Sequence, residues 1–348
     1  MKRNRKLAAV VILLAIVHLL VLFAGFIAPY NYASQDREHP YAQPSRLHFV
    51  DCSGQFHLRP FIYVTMFAAE NGSEYSEDCS QPASVKLFVH GEDYSLAGLF
   101  SSNLHLFGVA PPARLYLLGT DRFGRDQFSR VLYGGQVSLF AGLFAAALSL
   151  IFGLAIGAIA GTFGGWVDET AMRVAEVFMA VPWFYLLLAV RAVLPLQMNA
   201  ALAFVLVVGV IGIVNWGPPA RLIRGIVLSG RELNFVQAAR GFGGSKFYVL
   251  KRHLLPMTFS VALTQMAVLV PRFILAEVLL SFLGLGIGEP FPSWGNMLAA
   301  AQQFHVLSSY WWMLLPAVVP IPVFVAYHQL ADALQGTLQS NVRSRGDK

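Results

Sequence analysis

Long apolar runs alternate with short polar segments along this chain. A helix needs about 20 mainly apolar residues to cross the hydrocarbon core of a bilayer. Apolar stretches of about this length or longer lie at residues 7–28, 137–161, 170–194, 200–218, 257–288 and 310–330. The pattern therefore predicts an all-α integral membrane protein with six transmembrane helices.

A polar insertion at residues 29–117 interrupts this pattern between the first and second predicted helices. Within it, residues 61–67 and 85–89 are rich in the β-branched and aromatic side chains that favour strands. Residues 70–82 are polar and are expected to form a loop between these strands. We therefore expect a small β-rich domain outside the cytoplasm.

The only two cysteines, Cys52 and Cys79, both lie in this insertion. Thiols outside the cytoplasm can oxidise, and a cross-link in a small domain typically contributes about 2–4 kcal/mol of stability. We expect a disulfide between Cys52 and Cys79, with two unpaired buried thiols as the alternative.

Basic residues fix the expected orientation in the membrane. The N-terminal tail carries Lys2, Arg3, Arg5 and Lys6 and no acidic residue. In the 219–256 segment only Glu232 offsets the basic side chains, which are Arg221, Arg224, Arg231, Arg240, Lys246, Lys251 and Arg252. Because positively charged loops stay on the cytoplasmic side, both segments and the C-terminal tail at 336–348 are predicted to be cytoplasmic.

The first apolar run follows basic residues, as the core of a signal peptide does. It is longer than the usual apolar region of about 7–15 residues, however, and no clear small-x-small cleavage site follows it. We therefore interpret residues 1–28 as a cytoplasmic basic tail with an uncleaved transmembrane anchor.

Composition supports the membrane interpretation. Hydrophobic residues make up 56% of the 348 residues and charged residues only 13%, with a mean hydropathy of +0.57. These values exclude an ordinary soluble fold. The formal net charge of +6 would suit nucleic-acid binding, but most positive residues flank apolar spans, so membrane topology explains them better.

The basic segment at 231–256 is predicted to form two short helices around a glycine turn. Residues 233–240 are good helix formers, and Gly241, Gly243 and Gly244 supply the break. Ser245 is a suitable N-cap for a second helix over 246–254, and Pro256 can open the next helix. The second helix carries an apolar stripe at Phe247, Leu250 and Leu254.

The spacing of Gln237-Ala238-Ala239, Gly243 and Leu255-Pro256 resembles the "EAA" loop of permease subunits in binding-protein-dependent ABC importers. Gln237 stands where that family has Glu, and His253 stands at an apolar position. The resemblance implies docking on a cytoplasmic ATPase subunit and coupling to its closure. The residues assigned to this role are Gln237, Ala238, Ala239, Arg240, Gly241, Gly243, Phe247, Leu250, Leu254 and Pro256. A solvated basic loop that only fixes topology is the alternative.

A second motif, GTDRFGRDQFSR at residues 119–130, leads into the second predicted span. It resembles the GTDxxGRDxxSR segment of the C-type permease subunits of dipeptide and oligopeptide importers. The residues that form this periplasmic motif are Gly119, Thr120, Asp121, Gly124, Arg125 and Asp126. The spacing of Asp121, Arg125, Asp126 and Arg130 suits ion pairs on one surface of an interfacial helix.

Polar residues also occur inside or beside the fifth predicted span. A charge at the centre of a membrane costs on the order of 2.5–3.5 kcal/mol, so Arg272 and Glu277 should face protein or water. They are expected either to pair with one another or to line the pathway. The following SFLGLGIGEPFPSWGNML loop also resembles the family, and its Glu289 and Trp294 are candidates for the outer mouth.

Small residues in the second predicted span indicate close helix packing. Gly153 and Gly157 form a G-x-x-x-G pair. The Arg173 and Glu176 side chains near the start of the third span are expected to pair with one another or to reach towards the headgroups, a structural role.

Residues 118–335 are accordingly identified as a transmembrane permease core, half of a pathway for di- or oligopeptides. The resemblance implies a B-type permease as the heterodimeric partner, two ATPase subunits, a periplasmic substrate-binding protein and surrounding lipid in the inner membrane. The sequence contains no G-x-x-x-x-G-K-[ST] phosphate loop, so ATP and magnesium are expected on the ATPase subunits and no cofactor, metal or catalytic site on this chain.

Three alternatives stay open at this level. A permease of the same family could carry nickel or another small solute. An ion-coupled secondary transporter would need several intramembrane acids and internal repeats, which the sequence does not clearly supply. A membrane-anchored structural protein or receptor would place its function in the external domain.

Overall fold

The computed structural model describes residues 2–68, 74–96, 100–193, 195 and 199–346. This part of the chain is mostly helical, with an antiparallel β insertion between the first two long helices. The main helices are α1 (Lys2–Leu22), α2 (Ala24–Ile27), α3 (Gln127–Phe163), α4 (Gly165–Ala180), α5 (Trp183–Val193), α6 (Ala200–Val214), α7 (Gly217–Arg231), α8 (Asn234–Gly241), α9 (Lys246–Val249), α10 (Leu255–Phe282), α11 (Trp294–Ala299), α12 (Phe304–Ser309), α13 (Leu315–Val318) and α14 (Pro320–Gly346). A π-helical turn at Leu250–Leu254 joins α9 to α10, and 3-10 turns lie at Ala300–Gln302 and Trp311–Leu314.

Five continuous helical segments in the described chain are long and apolar enough to cross a membrane. They are Arg5–Leu22, Gln127–Phe163, Ala201–Arg231, Lys246–Phe282 and Trp311–Gly336. The prediction of an integral membrane protein with several helical spans and a β-rich insertion is confirmed at this level.

The third predicted span, at 170–194, is broken rather than continuous. Helices α4 and α5 meet at an angle of 80°, so they provide a sixth span only if the bent pair crosses the membrane as one unit. The break lies at Val181, whose backbone is extended (φ −72°, ψ 122°). Pro182 explains it, because a proline disfavours helical geometry in the preceding residue.

The described residues of the insertion form two small antiparallel sheets. Strands β1 (His48–Val50), β2 (Phe56–Ala68) and β3 (Glu74–Ser84) form one sheet in the order β1-β2-β3. Strands β4 (Lys86–Leu96) and β5 (Phe100–Gly108) form the other. The strands predicted at 61–67 and 85–89 lie largely within β2 and β4, which extend beyond the predicted ends.

The expected loop at 70–82 was wrong over residues 74–82, which belong to β3, while 70–73 lie outside the described residues. Residues Val64 to Ala68 of β2 pair in register with Asp78 to Glu74. Polar side chains are acceptable there because β3 is an edge strand with mostly accessible side chains, and an edge strand also tolerates Pro82. Residues 74–82 therefore form a strand because they pair with β2, although their polar composition favours a loop.

Apolar packing and a disulfide hold the insertion together. Ile62 of β2 is buried with Val109, Ala113 and Leu115, which follow β5 in the chain. Cys52 and Cys79 form a disulfide, with their Cα atoms 6.1 Å apart. It links the β1–β2 connection to β3, at the pair that the sequence analysis proposed.

The chain divides into two compact units. One comprises Met1–Ala15, Leu139–Leu279 and Pro322–Lys348, and the other comprises Ile16–Ser138 and Leu280–Ile321. In the first unit, α3 presents glycines to α7: a Cβ added at Gly153 would lie 2.5 Å from the Pro219 side chain, and one at Gly157 would collide with the Ala220 carbonyl. These glycines bring the two helices into close contact, as the G-x-x-x-G pattern indicated.

Candidate functional sites

The 231–256 segment folds as two helices around a glycine turn. Gly243 adopts φ +87°, a left-handed conformation that favours glycine, and its N–H donates to the Arg240 carbonyl over 2.9 Å. The Ser245 hydroxyl accepts from the Tyr248 N–H over 3.2 Å and caps α9, as predicted. Local hydrogen bonds therefore fix the turn.

Four apolar side chains anchor this segment to the first unit. Val236 of α8 and Val249 of α9 are buried, together with Leu250 and Leu254 of the π-helical turn. They pack in one cluster with Ile223 and Val227 of α7 and Ala158 of α3. A displacement of the segment must therefore displace α7 or create a cavity.

The predicted docking stripe at Phe247, Leu250 and Leu254 was therefore wrong in two of its three positions. Only Phe247 is exposed, while Leu250 and Leu254 belong to the buried anchor. The spacing of the stripe correctly predicted that this face of the helix is buried by packing. The packing partners, however, are helices of the same chain and not an ATPase subunit. The two leucines support the segment from within.

The exposed surface of the segment carries a group of aromatic side chains. Phe242 is 93% exposed, Phe247 68%, Phe235 52% and Tyr248 50%. Sequence reasoning identified Phe247 and missed the other three. The exposure of Phe242 could have been predicted, because this aromatic residue lies between glycines that have no side chains to cover it. Lys246, Lys251 and Arg252 are exposed on the same segment and add positive charge.

The remaining predicted docking residues occupy peripheral positions. Gln237, Ala238, Gly241, Gly243 and Pro256 are exposed, and Ala239 and Arg240 are half-buried. The Gln237 amide donates to the Glu232 carboxylate over 3.3 Å. Pro256 lies in the first turn of α10, which begins at Leu255, as predicted, although the helical backbone is continuous with α9 through the π-helical turn. The preceding π-helical turn changes the hydrogen-bond register before this proline, which has no N–H to donate.

The second unit contains the 119–126 motif, which is a turn rather than the expected interfacial helix. Gly119 and Gly124 adopt φ +71° and +69°, and α3 begins only at Gln127. The Asp121 carboxylate accepts from the Phe123 N–H over 2.8 Å and the Arg125 N–H over 3.1 Å. Left-handed glycines and this local capping compete successfully with helix formation.

The expected ion pairs nevertheless form within this turn, and they include Glu289. Arg125 donates to Asp121 over 2.6 Å and to the two Glu289 oxygens over 2.5 and 3.1 Å. Arg130 lies 3.4 Å from Glu289 and 3.8 Å from Asp121. Both arginine side chains are buried, whereas that of Glu289 is about half-exposed. We call Asp121, Arg125, Arg130 and Glu289 the charge cluster.

Burial and hydrogen bonding set the pKa values of nearby carboxyl groups in opposite directions. Burial alone would raise the pKa of Glu289, but the Arg125 hydrogen bond and the Arg130 charge hold it below its ordinary value. At Asp126, burial raises the pKa to about 6 against hydrogen bonds from Ser129. The charge cluster therefore keeps Glu289 ionised.

The other residues of the 119–126 motif have structural roles. The Thr120 hydroxyl donates to the His39 carbonyl over 2.6 Å and accepts from the Ala42 N–H over 2.7 Å. A Cβ at Gly119 would meet the Ala42 carbonyl at 2.7 Å. These contacts tie the motif to the start of the insertion.

Trp294, a predicted lining residue, is buried at 1% exposure within the second unit. Its indole N–H donates to the Val131 carbonyl over 3.1 Å, and its backbone N–H donates to the Ser138 hydroxyl over 3.2 Å. Ser293 and Asn296 cap its helix reciprocally. These contacts assign Trp294 to packing within this chain rather than to a free pathway surface.

Arg272 and Glu277 lie on different sides of α10. Arg272 is exposed and Glu277 is buried, so the alternative in which they pair with one another is not realised. Two residues five positions apart in an α-helix are related by one full turn plus about 140°. Their side chains therefore point to different sides of the helix. By contrast, the exposed Arg173 and Glu176 approach within 3.8 Å.

Residues 153–343 match the family described as binding-protein-dependent transport system inner membrane component. The dipeptide transport system permease protein DppC of Bacillus subtilis is 38% identical over 234 residues, which cover 67% of this chain and 71% of the relative. The oligopeptide transport system permease protein OppC of the same organism is 32% identical over 72% of this chain and 78% of the relative.

The glutathione transport system permease protein GsiD of Pectobacterium atrosepticum is 33% identical, with 67% of this chain and 75% of the relative covered. The predicted resemblance to C-type permeases is thereby confirmed. The family match covers more than half of the chain. The chain belongs to the family of binding-protein-dependent transport system inner membrane components.

Proposed function

We propose that this chain forms one half of the translocation pathway of an ATP-driven importer for di- or oligopeptides. Its partners are a B-type permease, two ATPase subunits and a periplasmic substrate-binding protein. The observation that carries this proposal is the 231–256 segment, which is anchored on the permease core and presents exposed aromatic and basic side chains. The names of the relatives favour peptides over nickel as the cargo.

Coupling follows from the way the segment is anchored. An ATPase subunit that grips Phe235, Phe242 and Phe247 can pull on α8 and α9 when it closes. The buried cluster transmits this movement to α7, because close-packed side chains do not yield like a fluid. Because the glycines of α3 contact α7 closely, a movement of α7 also displaces α3 within the first unit.

The chain itself is not catalytic in this proposal. ATP and magnesium bind to the ATPase subunits, and this chain holds no cofactor. The coupling segment and both termini face the cytoplasm across the inner membrane, because basic loops are retained there. The insertion and the charge cluster then lie on the periplasmic side, where the binding protein delivers its cargo.

Substitution of Gly243 tests the coupling role. Proline fixes φ near −65°, far from the observed +87°, and it removes the N–H that donates to Arg240. Gly243→Pro should abolish ATP-dependent uptake of a labelled dipeptide in proteoliposomes that contain the complete importer. Gly209→Ala in α6 is the matched control, since Gly209 lies outside the coupling segment, has no positive φ, and its added Cβ meets nothing within 4 Å.

Equal amounts of both variants in the membrane would show that insertion is intact. Normal uptake by Gly243→Pro would contradict the coupling role. Uptake by the wild-type chain without ATPase subunits would indicate an ion-coupled carrier, and uptake with this chain as the only permease would refute the B-type partner.

A further inference from the structure

A polar cleft of about 300 Å³ lies in the second unit beside the charge cluster. Asp121, Arg125, Arg130 and Glu289 contribute to its wall, as do Arg122 and Gln127. Glycines of the loop after α10, Gly284 and Gly288, also line it. The cleft therefore combines charged side chains with backbone that a ligand can approach closely.

The charges of this cleft favour an anion. Three guanidinium groups line it against two carboxylates. Arg125 and Arg130 are held by Asp121 and Glu289. Arg122 is exposed, and its guanidinium lies 4.4 Å from the centre of the Phe123 ring. Its charge acts on Glu289 from a distance, but in the described part of the chain the direct ion pairs of Asp121 and Glu289 are with Arg125 and Arg130. Arg122 is thus the cation with capacity for a ligand carboxylate.

Gln127 supplies a complementary acceptor. Its side chain is buried, and its amide nitrogen donates to the Met313 sulfur over 2.9 Å. A thioether sulfur accepts weakly and cannot donate, so this contact turns the amide nitrogen towards Met313. The Gln127 oxygen then has no hydrogen-bond partner among the described residues. A buried acceptor of this kind is costly unless a donor reaches it.

From these features we propose that the cleft binds the C-terminal end of a peptide. The terminal carboxylate lies against Arg122, and a backbone N–H of the peptide donates to the Gln127 oxygen. This inference rests on the proposed function and adds a substrate contact to it. The charge cluster positions the site, because Arg125 and Glu289 join the 119–126 motif to the loop after α10.

The acid and amide forms of one peptide test the carboxylate contact. The complete importer is placed in lipid nanodiscs without its binding protein, and equilibrium binding of labelled trialanine and trialanine amide is measured. Charge-assisted hydrogen bonds predict that the acid binds about tenfold more tightly than the amide. Arg122→Gln should weaken binding of the acid to the level of the amide and leave the amide unchanged. Arg59→Gln, at an exposed arginine of β2 outside the cleft, should change neither.

Gln127→Met tests the second contact while keeping the side-chain length. This substitution should weaken the binding of trialanine and of trialanine amide by a similar factor, because both peptides contain the donating N–H. Equal binding of acid and amide to the wild type, or no binding in the millimolar range, would overturn the proposal. An Arg122→Gln variant that weakens only the association with the binding protein would also count against it, since Arg122 would then contact that protein.

Uptake by the wild-type importer separates this inference from the proposed function. If trialanine is taken up in an ATP-dependent manner but the binding assay shows no preference for the acid, only the proposed carboxylate site in the cleft is refuted. Absence of uptake by a complete and stable importer would refute the proposed function itself.

Discussion

At the scale of single residues, Asp126 shows how burial changes the behaviour of a charged side chain. One carboxylate oxygen accepts from the Ser129 N–H over 2.8 Å and from its hydroxyl over 2.6 Å. The other is buried without a hydrogen-bond partner in the described part of the chain. The two hydrogen bonds from Ser129 only partly offset the loss of solvation of the buried carboxylate, so the pKa of Asp126 rises to about 6.

This raised pKa predicts a specific pH dependence of stability. The folded chain holds the Asp126 proton more tightly than the unfolded chain, so the stabilisation is complete below the ordinary value of 3.8 and is lost as pH rises through about 6. Asp126→Asn cannot titrate. The unfolding free energy of the wild type relative to this variant should therefore fall by up to about 3 kcal/mol between about pH 4 and pH 8.

The pH series requires the purified chain in detergent, with thermal unfolding midpoints compared at each pH. The comparison between variants cancels other titrating groups, including Glu289, whose lowered pKa acts in the opposite sense. A constant difference between wild type and Asp126→Asn across the series would contradict the raised pKa.

Two neighbouring arginines provide a second residue-scale prediction. The side chains of Arg125 and Asp121 are only 7% and 6% exposed, so Arg125→Gln leaves a buried carboxylate without its main counter-charge. Loss of one partner in such a pair should cost about 3–5 kcal/mol. Arg122 is exposed, and Arg122→Gln should change stability by less than about 0.5 kcal/mol. Similar thermal midpoints for the two variants would disprove a structural role for the charge cluster.

At the scale of elements, α8, α9 and the π-helical turn separate anchoring from docking. Phe242 is exposed and contributes little to the fold, so Phe242→Ala should leave the unfolding midpoint unchanged and weaken co-purification of the ATPase subunits. Leu250→Ala removes a buried side chain and should cost about 2–5 kcal/mol of stability. Pull-down yields and thermal unfolding distinguish the two effects. Unchanged ATPase recovery with Phe242→Ala would remove Phe242 from the docking surface.

The same segment shows what the sequence could and could not predict about the site. Hydrophobic period and glycine positions predicted the two helices and the Ser245 cap, because these depend on neighbouring residues. They could not show that Leu250 and Leu254 meet Ile223 and Val227, which lie in a different helix. Periodicity identifies the face that packs but not its partner.

Other elements follow the same distinction. The apolar runs were sufficient to predict the long helices, because each must satisfy its backbone internally in a membrane. The β3 strand was missed because its polar residues gain their structure from pairing with β2. The turn at 119–126 was predicted as a helix because charge spacing alone ignores the left-handed glycines.

At the scale of the whole molecule, the bent pair of α4 and α5 decides the topology. If the pair crosses the membrane, the N-terminus and the 231–256 segment lie on the same side. If it enters and returns on one side, the basic segment lies opposite the N-terminus, against the preference of arginine and lysine for the cytoplasm. α5 has 11 residues and is too short to cross alone, because a span takes about 20.

Single cysteines can report this topology in the otherwise disulfide-bonded chain. Val193→Cys, at the 84% exposed end of α5, should react from outside intact cells with a membrane-impermeant maleimide. Phe242→Cys should react only after the membrane is permeabilised, because the basic charges around it favour the cytoplasm. Leu58→Cys in the insertion is an exposed external control. Labelling of Phe242→Cys from outside would exclude a sixth span at α4 and α5, and with it the proposed access of ATPase subunits to the coupling segment.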